Sequence, residues 1–95
     1  MKKYEIMYIL RPTLDEAARK AAIESIHKIL TDNGAKITNV NEWGLRDLAY
    51  PIKKETKGYY VVIKVEADVT ATSEFKRHAS FNPVMLRHLI TVDQD

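Results

Sequence analysis

Apolar and polar residues from Lys3 to Leu10 fall on two faces with the two-residue period of a strand. Tyr4, Ile6, Tyr8 and Leu10 share one face, and Lys3, Glu5, Met7 and Ile9 share the other. Both faces are partly apolar, which predicts a strand inside a sheet. Thr13-Leu14-Asp15-Glu16 follows Pro12 and has the spacing of a capping box, so a helix is expected to begin there. Ala18, Ala22, Ile26, Ile29 and Leu30, widened by Ile23, recur at helical spacing as the buried stripe. Glu16, Lys20, Glu24 and Lys28 are i, i+4 neighbours on the opposite, wet side. Asn33-Gly34 supplies a left-handed stop.

Lys36 to about Tyr50 reads as an irregular strand, with Gly44 inside it and Pro51 beside it. Proline cannot donate to a ladder, so this strand belongs on an edge. Lys53 to Gly58 is expected to be a polar turn. Tyr59 to Glu66 is the clearest strand, with Tyr59, Val61, Ile63 and Val65 opposite Tyr60, Val62 and Lys64. Thr70 to Ser80 reads as a shorter helix resting on Phe75 and Ala79, and Asn82-Pro83 breaks it. His78 stands where an apolar helix position is expected. Val84 to Val92 is the last strand, and its periodicity does not say which face is buried. Asp93 to Asp95 is expected to be a frayed polar end.

The order β-α-β-β-α-β predicts an α+β fold, the ferredoxin-like split βαβ. Its four-stranded antiparallel sheet would run 4-1-3-2 with two helices on one face. The two smoothest apolar strands would then be central and the proline-bearing one at the edge. A chain of 95 residues makes one domain, residues 1–95, with a modest core.

Composition changes this picture little. A hydrophobic share of 45% with 29% charged residues is that of an ordinary globular protein. The chain has no cysteine, which removes disulfides and thiolate chemistry and suits a reducing cytoplasm. Neither a signal-peptide pattern nor an apolar run of ~18 residues is visible. Charge is uneven although its total is only +2. Residues 1–11 carry net +2, residues 12–35 net −1, residues 36–64 net +3 and residues 65–95 net −2. A local basic surface of this kind suits phosphate, and also suits a solvated face.

Catalytic and metal patterns do not emerge. His27, His78 and His88 are far apart without ligand spacing and read as surface or packing residues. Ser25, Ser73 and Ser80 lie in no nucleophile elbow. Phosphatases of this topology use a glycine-rich loop after the first strand, where this chain has Leu10-Arg11-Pro12-Thr13. Pro12 removes a backbone donor that such a loop needs. No cofactor and no enzyme activity are expected.

Binding is the better reading. Met7, Ile9, Tyr60 and Val62 would lie on the sheet face away from the helices, rimmed by Lys3, Glu5 and Lys64. A bare apolar strip rimmed by charge marks a partner. RNA-recognition domains use this face, and Lys57 to Lys64 begins like their aromatic motif. It departs at Val61, where a stacking ring is needed, so an apolar protein contact suits the face better. Arg46, Lys53, Lys54 and Lys57 follow Trp43 along the edge strand and its hairpin, with Lys2 and Lys3 expected nearby. Long cations on an edge also guard against aggregation, but four in so short a span suit RNA phosphates. Tyr50 is placed to stack or to pack.

The segments Tyr4 to Pro12, Trp43-Gly44, Leu48 to Lys54, Gly58-Tyr59-Tyr60 and Val84 to Arg87, with the Gly34 turn, resemble the bacterial small-subunit ribosomal protein S-six family. The likeness spans nearly the whole chain, and its middle segment is highly specific. It departs at Leu45 and Asp47, where the family is often basic. The resemblance implies the ferredoxin-like fold and a structural role in the small ribosomal subunit, without catalysis. It also implies binding to central-domain ribosomal RNA together with ribosomal protein S-eighteen, in the cytoplasm. On that expectation Lys2, Lys3, Arg46, Tyr50, Lys53, Lys54, Lys57 and Arg87 meet RNA, and Met7, Trp43, Tyr60 and Val62 meet the protein partner. The competing expectations are a single-strand RNA binder that needs no partner and a small-molecule regulatory domain.

Overall fold

Six elements follow one another in a computed structural model that describes residues 2–92: β1 (Lys2–Leu10), α1 (Glu16–Asp32), β2 (Lys36–Ile52), β3 (Glu55–Ala67), α2 (Val69–Phe81) and β4 (Met85–Val92). The tail from Asp93 to Asp95, expected to fray, lies outside the described residues. The strands pair in the order β2-β3-β1-β4, all antiparallel, which is the ferredoxin-like sheet read from its other edge. β1 and β3 are central and pair in unbroken register from Lys2↔Ala67 to Leu10↔Tyr59. The proline-bearing β2 is an edge strand.

The core lies between the sheet and the helices. Ile6, Tyr8, Leu10, Val61, Ile63 and Val65 supply the sheet side, and Ile23, Ile26, Leu30, Ala71 and Phe75 the helix side. Burying a side chain such as Phe75 stabilises by about 1.5–3 kcal/mol. The expected stripe on α1 holds at Ile23, Ile26 and Leu30, with Ala22 packed against it, but Ala18 is exposed. α2 is short of apolar residues, yet Ala71, Thr72, Phe75 and Ala79 form a sufficient buried face. The apolar position expected at residue 78 is not one: His78 is exposed, with Nε2 3.8 Å from the Glu74 carboxylate.

The start of α1 differs from the expected capping box. Asp15, not Thr13, is the cap, and its Oδ1 accepts from the Ala18 amide at 2.7 Å. The stop is as expected. Gly34, at φ +87°, lets the Ala35 amide donate to Leu30 O at 3.0 Å and its own amide donate to Thr31 O at 3.1 Å.

β2 is interrupted three times against β3, at Thr38, at Trp43 and between Asp47 and Ile52. Each interruption inserts residues that find no partner and bends the strand. At the second, Gly44 adopts φ +89°, and Trp43 is the inserted residue. At the third, Leu48 to Pro51 oppose Thr56 alone and form an arch, so the proline costs no ladder bond.

The expected six-residue turn is shorter. Ile52 pairs with Glu55, which leaves Lys53 and Lys54 as the whole loop, at φ +49° and +68°. Two positive φ values mark the type I′ hairpin turn, which ordinarily takes Asn-Gly or Gly-Gly. A non-glycine residue there costs about 1–2 kcal/mol. Gly58 already lies in β3, buried beneath the arch. A Cβ there would stand 2.3 Å from the Ile9 methyl Cγ2 and 3.4 Å from Leu48 Cδ2, so only glycine fits.

Candidate nucleic-acid and partner interface

The sheet face opposite the helices is not bare. The arch of β2 folds over it toward β4, because the extra residues make β2 longer than the stretch of β3 it pairs with. Ile9 and Val62, expected on an exposed strip, are 3% and 9% exposed. The apolar strip is therefore reduced to the half-buried Met7 and Tyr60. Val62, expected to meet a partner, has little surface to offer one.

Two contacts bind the arch to β4. The Arg87 guanidinium donates from Nη1 to the Tyr50 hydroxyl, and Lys53 Nζ donates to Met85 O at 3.4 Å. Beneath the arch is a hollow of about 200 Å³ lined by Met7, Leu48, Tyr50, Tyr60, Arg87 and Leu89, among others. Leu89 is 47% exposed on this face and has no counterpart among the expected site residues. Its register opposite Met7 places it there. Only pairing could reveal that, since β4 alternates without a clear apolar face. The same register sends His88 and Ile90 to the helix side, where the His88 ring meets Phe75 edge-on at 5.7 Å.

Beside the hollow, Trp43 lies parallel to Tyr60, with centroids 6.2 Å apart and planes 9° apart. The Arg46 guanidinium carbon is 5.2 Å from the Trp43 ring. Such cation-ring contacts contribute about 0.5–1 kcal/mol at an exposed site. Trp43 remains 44% exposed and Tyr50 56%. The residues expected to meet RNA and those expected to meet a protein thus alternate across one face. Arg46 sits with Trp43 and Tyr60, and Tyr50 and Arg87 stand beside Met7 and Leu89.

The basic residues do not all gather. Lys2 and Lys3, expected near the hairpin, pair with Ala67 and Glu66 at the other end of the sheet, about 25 Å of strand away from Leu10. Lys57 pairs with Asp47 and alternates with Gly58, so it leaves the strand on the face opposite Arg46. Lys53 and Lys54 crown the hairpin tip. Among the described residues Lys54 has no hydrogen-bond or ionic partner.

A second hollow, of about 380 Å³, opens between α1 and the edge strand and includes Arg19, His27, Val40, Glu42 and Tyr59. It escaped the sequence reading because its residues come from three elements. The Tyr59 hydroxyl donates to Glu42 Oε1 at 2.8 Å, and the Arg19 guanidinium lies 4.3 Å over the Tyr59 ring. Deeper in, the Tyr8 hydroxyl meets His27 Nε2 at 2.9 Å. Burial, aided by Glu42, raises the Tyr8 pKa, so its hydroxyl stays protonated. Burial lowers the His27 pKa, with Glu42 opposing, so the imidazole stays neutral and Nε2 can accept from the hydroxyl in the tautomer protonated at Nδ1. These groups satisfy one another, as an internal polar network does.

Among the described residues no group of three metal-ligating side chains is assembled, and no helix is long and apolar enough to cross a membrane. What the fold does assemble is a mixed aromatic, apolar and cationic surface on a ferredoxin-like sheet, the mark of a small binding domain. A sequence profile of the family "Ribosomal protein S6" matches residues 3–91. The fold superposes on the 30S ribosomal protein S6 of Thermotoga maritima with a TM-score of 0.91 at 30% identity, covering 97% of this chain and 87% of that one. The chain belongs to the ribosomal protein S6 family, structural constituents of the small ribosomal subunit and not a family of enzymes.

Proposed function

We propose that this protein binds small-subunit ribosomal RNA of the central domain together with ribosomal protein S-eighteen, in the cytoplasmic ribosome. The observation that carries this reading, beside the family, is the continuous face on which aromatic, apolar and cationic groups alternate. Met7, Trp43, Tyr60 and the edge of Val62 meet the protein partner, with Leu89 added to that set. Arg46, Tyr50, Lys53, Lys54 and Arg87 meet RNA from this face, and Lys57 from the opposite one. Lys2 and Lys3, at the far end of the sheet, provide a separate contact. Because the two sets interleave, a protein bound on the apolar groups holds its own RNA contacts beside those of this chain. Joint binding then exceeds either affinity.

The test is binding of the purified protein to a central-domain RNA fragment, with and without ribosomal protein S-eighteen, at two salt concentrations. Tight, salt-sensitive binding that requires the partner is the expected result. Equal affinity without the partner would overturn the joint reading in favour of an independent RNA binder. Absence of binding in both would reduce the basic hairpin to a solvated surface.

A further inference from the structure

The loop of the β2–β3 hairpin is two lysines in a conformation that favours glycine. Lys53 and Lys54 stand at φ +49° and +68°, where the hairpin register demands a type I′ turn. Asn-Gly would satisfy that backbone with less strain. Lys53 has one internal contact, its ammonium on Met85 O at 3.4 Å. Lys54 has none among the described residues, and its side chain is exposed. The strain at Lys54 is therefore not offset by any bond of its side chain to another described residue.

We infer that the strained Lys53-Lys54 turn is a phosphate-gripping tip, in which backbone strain is retained to place two adjacent cations on the RNA sugar-phosphate backbone. The inference rests on the RNA-binding reading above. A two-residue turn between paired strands leaves the lysine backbones almost no freedom, so their ammonium groups start from one fixed point. Arg87, held by Tyr50, and the Lys53–Met85 contact fasten the tip to β4. The hairpin thus presents its cations from a braced arm. Lysines in this role contact phosphate oxygens and read no base, so the contact is independent of sequence. The stability forgone at the turn reappears as affinity, as expected where strain and function coincide.

Two double variants test this, each bound to central-domain RNA in the presence of ribosomal protein S-eighteen. Lys53→Asn with Lys54→Gly relieves the turn and removes both charges. Lys53→Gln with Lys54→Gln removes the charges and keeps the strain. The first should melt about 5 °C higher than the wild type. Both should lose about tenfold in affinity and flatten the salt slope by about 1.5 units, the share of two phosphates. The inference is overturned if the relieved variant binds as tightly as the wild type, or if it is no more stable. A wild-type protein that fails to bind the RNA would instead overturn the reading on which the inference rests.

Discussion

Tyr8 and His27 show how burial sets the chemistry of a single contact. Tyr8 is fully buried, and its hydroxyl needs an acceptor. His27 Nε2 supplies one only while the imidazole is neutral. Burial holds the folded-state pKa of His27 below the ordinary 6.5, and burial with nearby Lys76 does the same at His88. The unfolded chain therefore takes up protons more readily than the folded one. The contribution of these residues is fully present above about pH 6.5 and is lost as pH falls through their lowered folded-state values. Melting temperatures at pH 7.5 and pH 5.5 check this. His27→Gln, whose amide oxygen can still accept from Tyr8, should show a smaller fall than the wild type. An equal fall would assign the acid sensitivity to other groups.

The elements were legible where their signals are local. The Gly34 stop follows from the next few residues, and so does the smooth alternation of β1 and β3. The cap at the start of α1 lies two residues beyond the expected one. Thr13 and Asp15 are both good caps, but only Asp15 immediately precedes the first helical residue, where its carboxylate reaches the Ala18 amide. Asp15→Ala should therefore cost about 1 kcal/mol, and Thr13→Ala close to nothing, in urea denaturation. The reverse order would return the cap to Thr13. β2 was the least legible strand. Pro51 predicted an edge, correctly, but nothing local predicted the three insertions that put Trp43 on Tyr60 and arch Leu48 to Pro51 over the sheet.

At the scale of the molecule, the arch converts an open sheet face into a hollow and a braced arm. Among the described residues its hydrogen bonds to β4 are few, the Arg87–Tyr50 bond and the Lys53–Met85 carbonyl bond, and Leu48 lies over Gly58. The centre of the sheet is held by Ile6, Tyr8, Val61 and Ile63 with no exposed surface. Stability should therefore be uneven. In native-state hydrogen exchange, amides of residues 47–57 should exchange through local opening, and those of Ile6 to Leu10 and Val61 to Val65 only through global unfolding. Uniform protection across the hairpin would show that the arch is part of the same cooperative unit. Preorganising this arm is the work a ribosomal RNA contact would ask of it.

The sequence by itself determined the ferredoxin-like topology, the central and edge strands, the core stripe and the family. The topology, the strand positions and the stripe rest on periodicity and on turn residues, which act within a few positions of one another, and the family on the resemblance of segments spread along the chain. Tertiary structure alone decided which face of β4 is buried and that Lys2 and Lys3 stand apart from the hairpin. It alone decided that Ile9 and Val62 are covered, and that Arg46, Trp43 and Tyr60 form one stack. Each of these depends on register between strands distant in sequence, and on inserted residues that shift that register. A one-residue shift sends a side chain to the opposite face, so no pattern within a single strand can contain the answer.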